Sequence, residues 1–163
     1  MIVVHFVHGL EGSPQGNKAR LLAQHFDAET LAMDTSNFEA CVALHAERLQ
    51  SRPPDVLIGS SFGGAVAVAL LQRGAWSGPT LLLAQAALRR GLGTTLPPRA
   101  RVWLVHGTHD VVVSPEDSRS IANANVRPEV RLLEVDDDHA LHASTTNGAL
   151  VGWVHEIVHP AHT

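Results

Sequence analysis

Short apolar runs alternate with helix-length amphipathic stretches along most of this chain. Runs rich in Val, Ile and Leu, bounded by residues that favour turns, are typical of buried strands. They predict strands at residues 2–8, 29–34, 55–60, 79–85, 101–107 and 129–136. Helical spacing of apolar residues predicts helices at 15–26, 36–49, 62–74 and 149–159. This alternation predicts an α/β fold, with a mostly parallel sheet of about six strands and helices on both faces.

Two helix starts carry recognisable capping signals. Ser36 is the expected N-cap of the second helix, because Glu39 follows three residues later and would complete a capping box. Ser114 precedes Pro115, a residue favoured in the first turn of a helix. We therefore expect helices to begin just after both serines.

Composition narrows the class of protein without naming an activity. The 163 residues are 45% hydrophobic and 17% charged, which is typical of a soluble globular protein and predicts one domain over residues 1–163. The net charge is −4 and the basic residues are scattered, so neither nucleic acid nor a membrane surface is an expected partner. The N-terminus lacks the features of a signal peptide, which favours a cytoplasmic protein. Cys41 is the only cysteine, is expected to be buried, and excludes an intrachain disulfide.

Two adjacent serines follow the third predicted strand, in the stretch IGSSFGG at residues 58–64. A serine on a sharp strand-to-helix turn needs small residues two positions before and after it, so that strand and helix can approach. Ser61 has Gly59 and Gly63 at those positions, whereas Ser60 has bulky neighbours there. Ser61 is therefore the candidate nucleophile.

A serine nucleophile needs a histidine base and a carboxylate that orients the histidine. On sheets with such a turn the acid precedes the histidine along the chain, and both follow the nucleophile. Asp110 follows the fifth predicted strand and His139 follows the sixth, so each would lie at the carboxyl edge of the sheet. These positions predict a Ser61–His139–Asp110 triad.

Alternatives exist for both partners. His142 is three residues from His139 and is expected to be an early residue of the final helix. The carboxylates at positions 136–138 also lie near the histidine, although their expected role is a solvated turn. Asp110 is preferred because a carboxylate next to the histidine in sequence rarely reaches its Nδ1 atom.

Backbone N–H groups are expected to stabilise the oxyanion that forms on the substrate. The stretch HGLEGS at residues 8–13 follows the first strand, and its glycines allow the backbone to turn. By position, the expected donors are the N–H of Leu10 and the N–H of Phe62, the residue after the nucleophile.

The chain contains 11 histidines, which raises the question of a metal site. Three pairs have His-x-x-His spacing, but no HExxH motif and no paired cysteines are present. His5 and His8 would point to opposite faces of a strand. We expect neither a metal nor a cofactor. Lys18 is expected on a solvated helix face.

Three stretches resemble the small capless bacterial esterases of the α/β-hydrolase superfamily: HGLEGSPQGNKA at 8–19, GSSFGG at 59–64 and DHAL at 138–141. The resemblance extends nearly end to end. It implies a Ser–His–Asp esterase that forms an acyl-enzyme, with Ser61 as nucleophile, His139 as base and acid, and Asp110 as the orienting residue. Compared with larger relatives, this sequence lacks the first two strands of the usual eight and any inserted cap.

The predicted function is hydrolysis of small carboxylic esters with short acyl chains. The same triad could instead cleave a thioester, a lactone or an amide. A non-catalytic binding protein on the same fold is the alternative from a different class. A small-molecule ester is the expected partner.

Overall fold

A strand occurs at each of the six predicted places in the computed structural model, which describes residues 1–161. The strands are β1 (Val3–Val7), β2 (Asp27–Thr30), β3 (Val56–Ser60), β4 (Thr80–Leu83), β5 (Val102–Gly107) and β6 (Val130–Val135). They form one sheet in the order β2-β1-β3-β4-β5-β6, and every neighbouring pair is parallel. The predicted fold class is confirmed.

Helices cover both faces of the sheet, because each parallel connection must return the chain across a face. They are α1 (Asn17–His25), α2 (Phe38–Ser51), α3 (Phe62–Gln72), α4 (Pro115–Ala124), α5 (His142–Thr146) and α6 (Ala149–Val158). One core lies between the sheet and α2, α3 and α4, and the other between the sheet and α1 and α6. None of the helices within residues 1–161 has the length and apolar character needed to cross a membrane.

Strand β2 lies earlier in the chain than its apolar pattern predicts. The expected range was 29–34, but β2 pairs with β1 from Val3 opposite Asp27 to Phe6 opposite Thr30. The pairing with β1 ends there, and residues 31–34 form a loop. Pairing with a neighbour, rather than hydrophobicity, decides where this edge strand ends.

Helix α2 begins one residue later than its predicted capping box. Asn37 is the N-cap, and its side-chain oxygen accepts a backbone N–H three residues on at 3.0 Å. Ser36 instead donates its hydroxyl to Asp34 at 2.6 Å. Glu39 pairs with Arg73 of the neighbouring segment at 2.6 Å. The prediction of Ser36 as the N-cap is wrong because both members of the box have stronger partners elsewhere.

The C-terminal segment contains one more helix than predicted. His142 begins α5, a separate short helix, and does not belong to the final helix. Gly148, at φ 87°, separates α5 from α6. A residue at such a φ ends a helix, and glycine adopts it without steric cost. The remaining predicted elements agree with the structure within a few residues at each end.

Candidate active site

Ser61 occupies the sharp turn between β3 and α3. Its backbone lies at φ 55° and ψ −113°, a conformation that residues with a side chain rarely adopt. Such strain persists only where the surroundings hold the backbone in place. The N–H of Ser61 donates to Leu83 at 2.9 Å, and its carbonyl oxygen accepts from Ala86 at 3.0 Å. Two backbone contacts with β4 and the residues after it therefore fix the turn.

The flanking glycines are required by contact distances. A Cβ atom on Gly59 would lie 2.4 Å from the carbonyl oxygen of Gly63. A Cβ atom on Gly63 would lie 2.0 Å from the carbonyl oxygen of Val7. Both distances are far inside van der Waals contact. The strand, the turn and the helix can meet only if these two positions carry no side chain.

The three residues predicted as a triad lie in one hydrogen-bonded row. His139 Nε2 is 3.0 Å from Ser61 Oγ, and His139 Nδ1 is 2.7 Å from Asp110 Oδ2. A carboxylate only accepts, so Nδ1 carries the proton and Nε2 accepts the Ser61 hydroxyl. The side chain of His139 is 23% exposed and that of Asp110 is 0% exposed. The row therefore runs from an interior carboxylate to a hydroxyl near solvent.

Asp110 is held as an anion by hydrogen bonds on both of its oxygens. Oδ1 accepts the N–H groups of Val112 and Val113, each at 2.8 Å. Burial alone would raise the pKa of Asp110, but the hydrogen bonds from His139, Val113 and Val112 outweigh it and lower that pKa below its ordinary value. The carboxylate is thus charged at neutral pH without solvent contact.

The loop after β1 packs directly against the nucleophile. A Cβ atom on Gly9 would lie 3.3 Å from Ser61 Cβ and 3.2 Å from the carbonyl oxygen of Ser60. Within residues 1–161, the N–H groups of Leu10 and Phe62 donate to no protein acceptor. Phe62 is the first residue of α3, where N–H groups are free and the helix dipole favours negative charge.

Comparison with known proteins identifies the fold on which this geometry is built. No protein-family model matches the chain, and neither does any curated protein. Solved structures do match the chain. A hydrolase of the α/β superfamily from Xanthomonas campestris is 22% identical, with a TM-score of 0.65 over 92% of this chain and 95% of that one. An esterase domain from Rhodothermus marinus is 19% identical, with a TM-score of 0.70 over 94% of this chain and 83% of that one.

A third structure bears on the missing cap. It is a serine hydrolase without a lid, from Xanthomonas campestris, with 18% identity and a TM-score of 0.69 over 99% of this chain and 84% of that one. The chain has the α/β-hydrolase fold. In this α/β-hydrolase fold the connection between β4 and β5 contains only a short 3₁₀ helix, Leu88–Arg90.

Within the described residues, the competing histidine and carboxylates make no hydrogen bond to the side chain of Ser61 or to the ring of His139. His142 is exposed at the start of α5. Asp136 is exposed and pairs with His109 at 2.6 Å. Asp137 is buried, contrary to the expected solvated turn, and accepts the N–H of Ser144 at 2.8 Å. Buried in this way, Asp137 fixes the start of α5 and with it the loop that carries His139.

Lys18 does not lie on a solvated face as expected. Its ammonium donates to the carbonyl oxygen of Ala140, next to His139, at 2.5 Å. Burial lowers the pKa of Lys18, while Asp138 and Asp137 oppose this shift. The interaction crosses 122 residues of sequence. No local pattern predicts it, because the partner is a backbone carbonyl in a distant loop.

The His-x-x-His pairs do not converge on common ligands. His5 Nε2 lies 2.7 Å from His45 Nδ1, whereas His8 Nδ1 donates to the carbonyl oxygen of Gly9 at 2.7 Å. His106 is buried and His109 is exposed. No group of three or more His, Cys, Asp and Glu side chains within residues 1–161 could hold a metal ion.

Two surface grooves lie apart from Ser61. One of about 470 Å³ is lined by Met1, Phe26 and His155 among others, and one of about 480 Å³ by Leu71 and Pro97. Neither groove is lined by a residue of the triad. The loop after β1 packs against Ser61, and the loops after β5 and β6 carry Asp110 and His139. Apolar side chains of these loops are exposed at Leu10, Val111 and Val112.

Proposed function

We propose that this protein is a serine hydrolase that cleaves small carboxylic esters through an acyl-enzyme. The observation that carries the proposal is the row of hydrogen bonds, at 3.0 Å and 2.7 Å, that joins Ser61 to His139 and His139 to Asp110. A hydroxyl, an imidazole and a buried carboxylate in this order form the set that activates serine in acyl transfer. The fold shared with hydrolases and an esterase domain supports the same reading.

In the acylation step, Ser61 Oγ attacks the ester carbonyl carbon while its proton passes to His139 Nε2. The carbonyl oxygen becomes negative and accepts the N–H groups of Leu10 and Phe62. Asp110 stabilises the positively charged imidazolium. The bond to the alcohol oxygen then breaks, and the alcohol leaves with the proton from His139.

Deacylation repeats the sequence with water as the nucleophile. Water gives a proton to His139 Nε2 as its oxygen bonds to the acyl carbon. The bond between that carbon and Ser61 Oγ then breaks, and Ser61 recovers its proton from His139. The carboxylic acid is released and the free enzyme is regenerated, so no cofactor is consumed.

Covalent labelling tests the nucleophile directly. A fluorophosphonate probe is expected to form one adduct with the wild-type protein, and peptide mapping is expected to find it on Ser61. Ser61→Ala should abolish the adduct and lower kcat by about 10⁴- to 10⁶-fold. Ser60→Ala is the matched control, because it changes the neighbouring hydroxyl only. No adduct, or an adduct that survives Ser61→Ala, would contradict the proposal.

We further propose short-chain acyl esters as the substrates. Leu10, Val111 and Val112 offer exposed apolar surface for a few methylene groups. The two grooves of about 470 and 480 Å³ do not reach the triad. We therefore expect kcat/KM for p-nitrophenyl butyrate to exceed that for the palmitate ester, measured below the concentration at which palmitate aggregates. Faster turnover of monomeric palmitate would refute the preference.

A further inference from the structure

A buried histidine lies on the far side of Asp110 from His139. His106, on β5, has a side chain that is 0% exposed, and its Nε2 lies 3.2 Å from Asp110 Oδ2. That oxygen is the one that accepts the N–H of His139 at 2.7 Å. The acid of the triad is therefore in contact with two imidazoles, and the mechanism above uses only one of them.

The proton positions on His106 follow from its partners. Its Nε2 lies 2.8 Å from the carbonyl oxygen of Val113, which can only accept, so Nε2 carries a proton. Its Nδ1 lies 2.7 Å from Ser118 Oγ. In the neutral ring Nδ1 has no proton, so it accepts the Ser118 hydroxyl. The nitrogen that donates to Val113 is thus the same one that lies 3.2 Å from Asp110 Oδ2.

The far end of this chain of contacts is fixed as well. Ser118 Oγ accepts from Gln85 Nε2 at 3.0 Å. Gln85 Oε1 accepts the N–H of Ala87 at 2.8 Å, which sets the orientation of the amide. The N–H of Ala87 thus orients the Gln85 amide at one end, and the carbonyl of Val113 holds a proton on His106 Nε2 at the other. The side chains of Gln85, Ser118 and His106 belong to residues that are all 0% exposed.

The contacts close into a ring that includes the nucleophile. Gln85 precedes Ala86, whose N–H donates to the carbonyl oxygen of Ser61 at 3.0 Å. One path from Ser61 to Asp110 runs through His139. The second path runs through residues 85–86, Ser118 and His106. The triad is thus supported from the solvent side and from the interior.

From this closed ring we infer that His106 is a positioning residue for the proposed hydrolysis. Oriented by Ser118 and by the carbonyl of Val113, it fixes the carboxylate of Asp110 in the plane that His139 requires. A fixed carboxylate matters most when the imidazolium forms, because small displacements of a catalytic group lower the rate steeply. This inference rests on the proposed function.

The test compares two substitutions at position 106. His106→Phe keeps an aromatic ring and removes both hydrogen bonds, whereas His106→Gln keeps a neutral amide that can donate and accept. With p-nitrophenyl butyrate, His106→Phe is expected to lower kcat by about 10- to 100-fold and leave KM within about twofold. The rate of fluorophosphonate labelling should fall by the same factor. His106→Gln should recover most of both rates.

A matched control separates positioning from damage to the core. His45→Phe makes the same exchange at another buried histidine, whose contacts are His5 and Met33. It is expected to lower stability without changing kcat. The inference is overturned if His106→Phe keeps the wild-type kcat, if it changes KM alone, or if His45→Phe loses as much activity as His106→Phe.

Two further measurements keep the outcome decisive. If His106→Phe does not fold, Ser118→Ala removes only the hydroxyl that orients His106, and a smaller loss of kcat at constant KM is expected; an unchanged kcat would overturn the inference. In proton NMR, the low-field signal of the N–H between His139 and Asp110 should persist in His106→Gln and disappear in His106→Phe. A wild-type protein that fails to label at Ser61 would refute the proposed function, while the NMR signal would still test the role of His106.

Discussion

The two oxygens of Asp110 have different partners, and this asymmetry determines what an amide would do in its place. Oδ1 accepts two backbone N–H groups, from Val112 and Val113. Oδ2 faces the nitrogens of His139 and His106. An asparagine amide would therefore direct its oxygen to the backbone and its NH₂ group to His139. That orientation forces the wrong tautomer on the histidine.

Asp110→Asn is accordingly expected to lower kcat by about 10⁴-fold. With Nδ1 accepting from the amide, the proton moves to Nε2, which can then no longer accept from Ser61. Steady-state hydrolysis of p-nitrophenyl butyrate measures the effect. Asp136→Asn is the control, because that carboxylate is 93% exposed and contacts His109 rather than the triad. Equal losses in the two variants would contradict the assignment of Asp110.

Among the elements, β3 and α3 were the easiest to predict, and the reasons are local. Gly59 and Gly63 flank Ser61 at the spacing that a sharp turn requires, and the structure shows the contacts that demand it. The limits of β2 and the cap of α2 could not be predicted in the same way. Pairing with β1 sets the limits of β2. The predicted capping box of α2 does not form because Glu39 pairs with Arg73, which is distant in sequence.

Gly63→Ala tests the closeness of β1 and α3. The added methyl group would lie 2.0 Å from the carbonyl oxygen of Val7 and 2.6 Å from that of His8, and neither backbone can move without breaking the sheet. The free energy of unfolding is expected to fall by more than about 3 kcal/mol, and activity should be lost with it.

The control for this substitution is another helical glycine. A Cβ atom on Gly152, in α6, would meet nothing within 4 Å. Gly152→Ala should therefore raise the free energy of unfolding by up to about 1 kcal/mol, since alanine favours helix more than glycine does. Urea unfolding measures both variants. A Gly63→Ala protein as stable as the wild type would refute the packing described for the turn.

For the molecule as a whole, a buried pair of histidines couples stability to pH. His45 Nε2 lies 3.3 Å from the sulfur of Met33, which is a weak acceptor, so this nitrogen carries the proton. His45 Nδ1 then accepts the N–H of His5 at 2.7 Å, and both rings are neutral. Burial lowers the pKa of His45 to about 3.

The pKa of His5 is lowered to about 4, first by burial and then by Arg48 and Arg52, while Glu29 opposes the shift. An unfolded histidine takes up its proton near pH 6.5, so the unfolded state binds more protons than the folded state between pH 4 and 6.5. The contribution of the neutral histidine to the free energy of unfolding is therefore fully present above pH 6.5 and is lost as the pH drops to about 4. His5 alone contributes about 3 kcal/mol to this loss.

Replacing both rings tests the coupling. The double variant His5→Leu/His45→Leu is expected to unfold with a free energy that depends less on pH between 6.5 and 4, measured by urea titration at several pH values. His159→Asn, at an exposed position after α6, is the control and should keep the wild-type dependence. If the double variant keeps the same slope, other groups cause the acid sensitivity.

For the whole molecule, the sequence predicted the position of the candidate site more completely than it predicted the residues that support the site. Ser61, Asp110 and His139 each follow a strand, and parallel strands bring their carboxyl ends to one edge. The supporting residues Lys18, Asp137 and His106 were missed or misread, because their partners are backbone groups and buried oxygens that only the folded chain brings near. His106 had one local signal, its place three residues before His109, and that spacing was weighed only as a metal site, which we did not expect.

His139 lies 78 residues after Ser61 and 29 after Asp110 along the chain. Its loop lies between β6, which pairs with β5, and the C-terminal helices. During synthesis, the ribosome therefore releases the nucleophile and the acid well before the base. A nascent or truncated chain that ends before His139 contains Ser61 without the imidazole to which its hydroxyl donates. In the proposed function, activity therefore requires the part of the chain that is synthesised after Asp110.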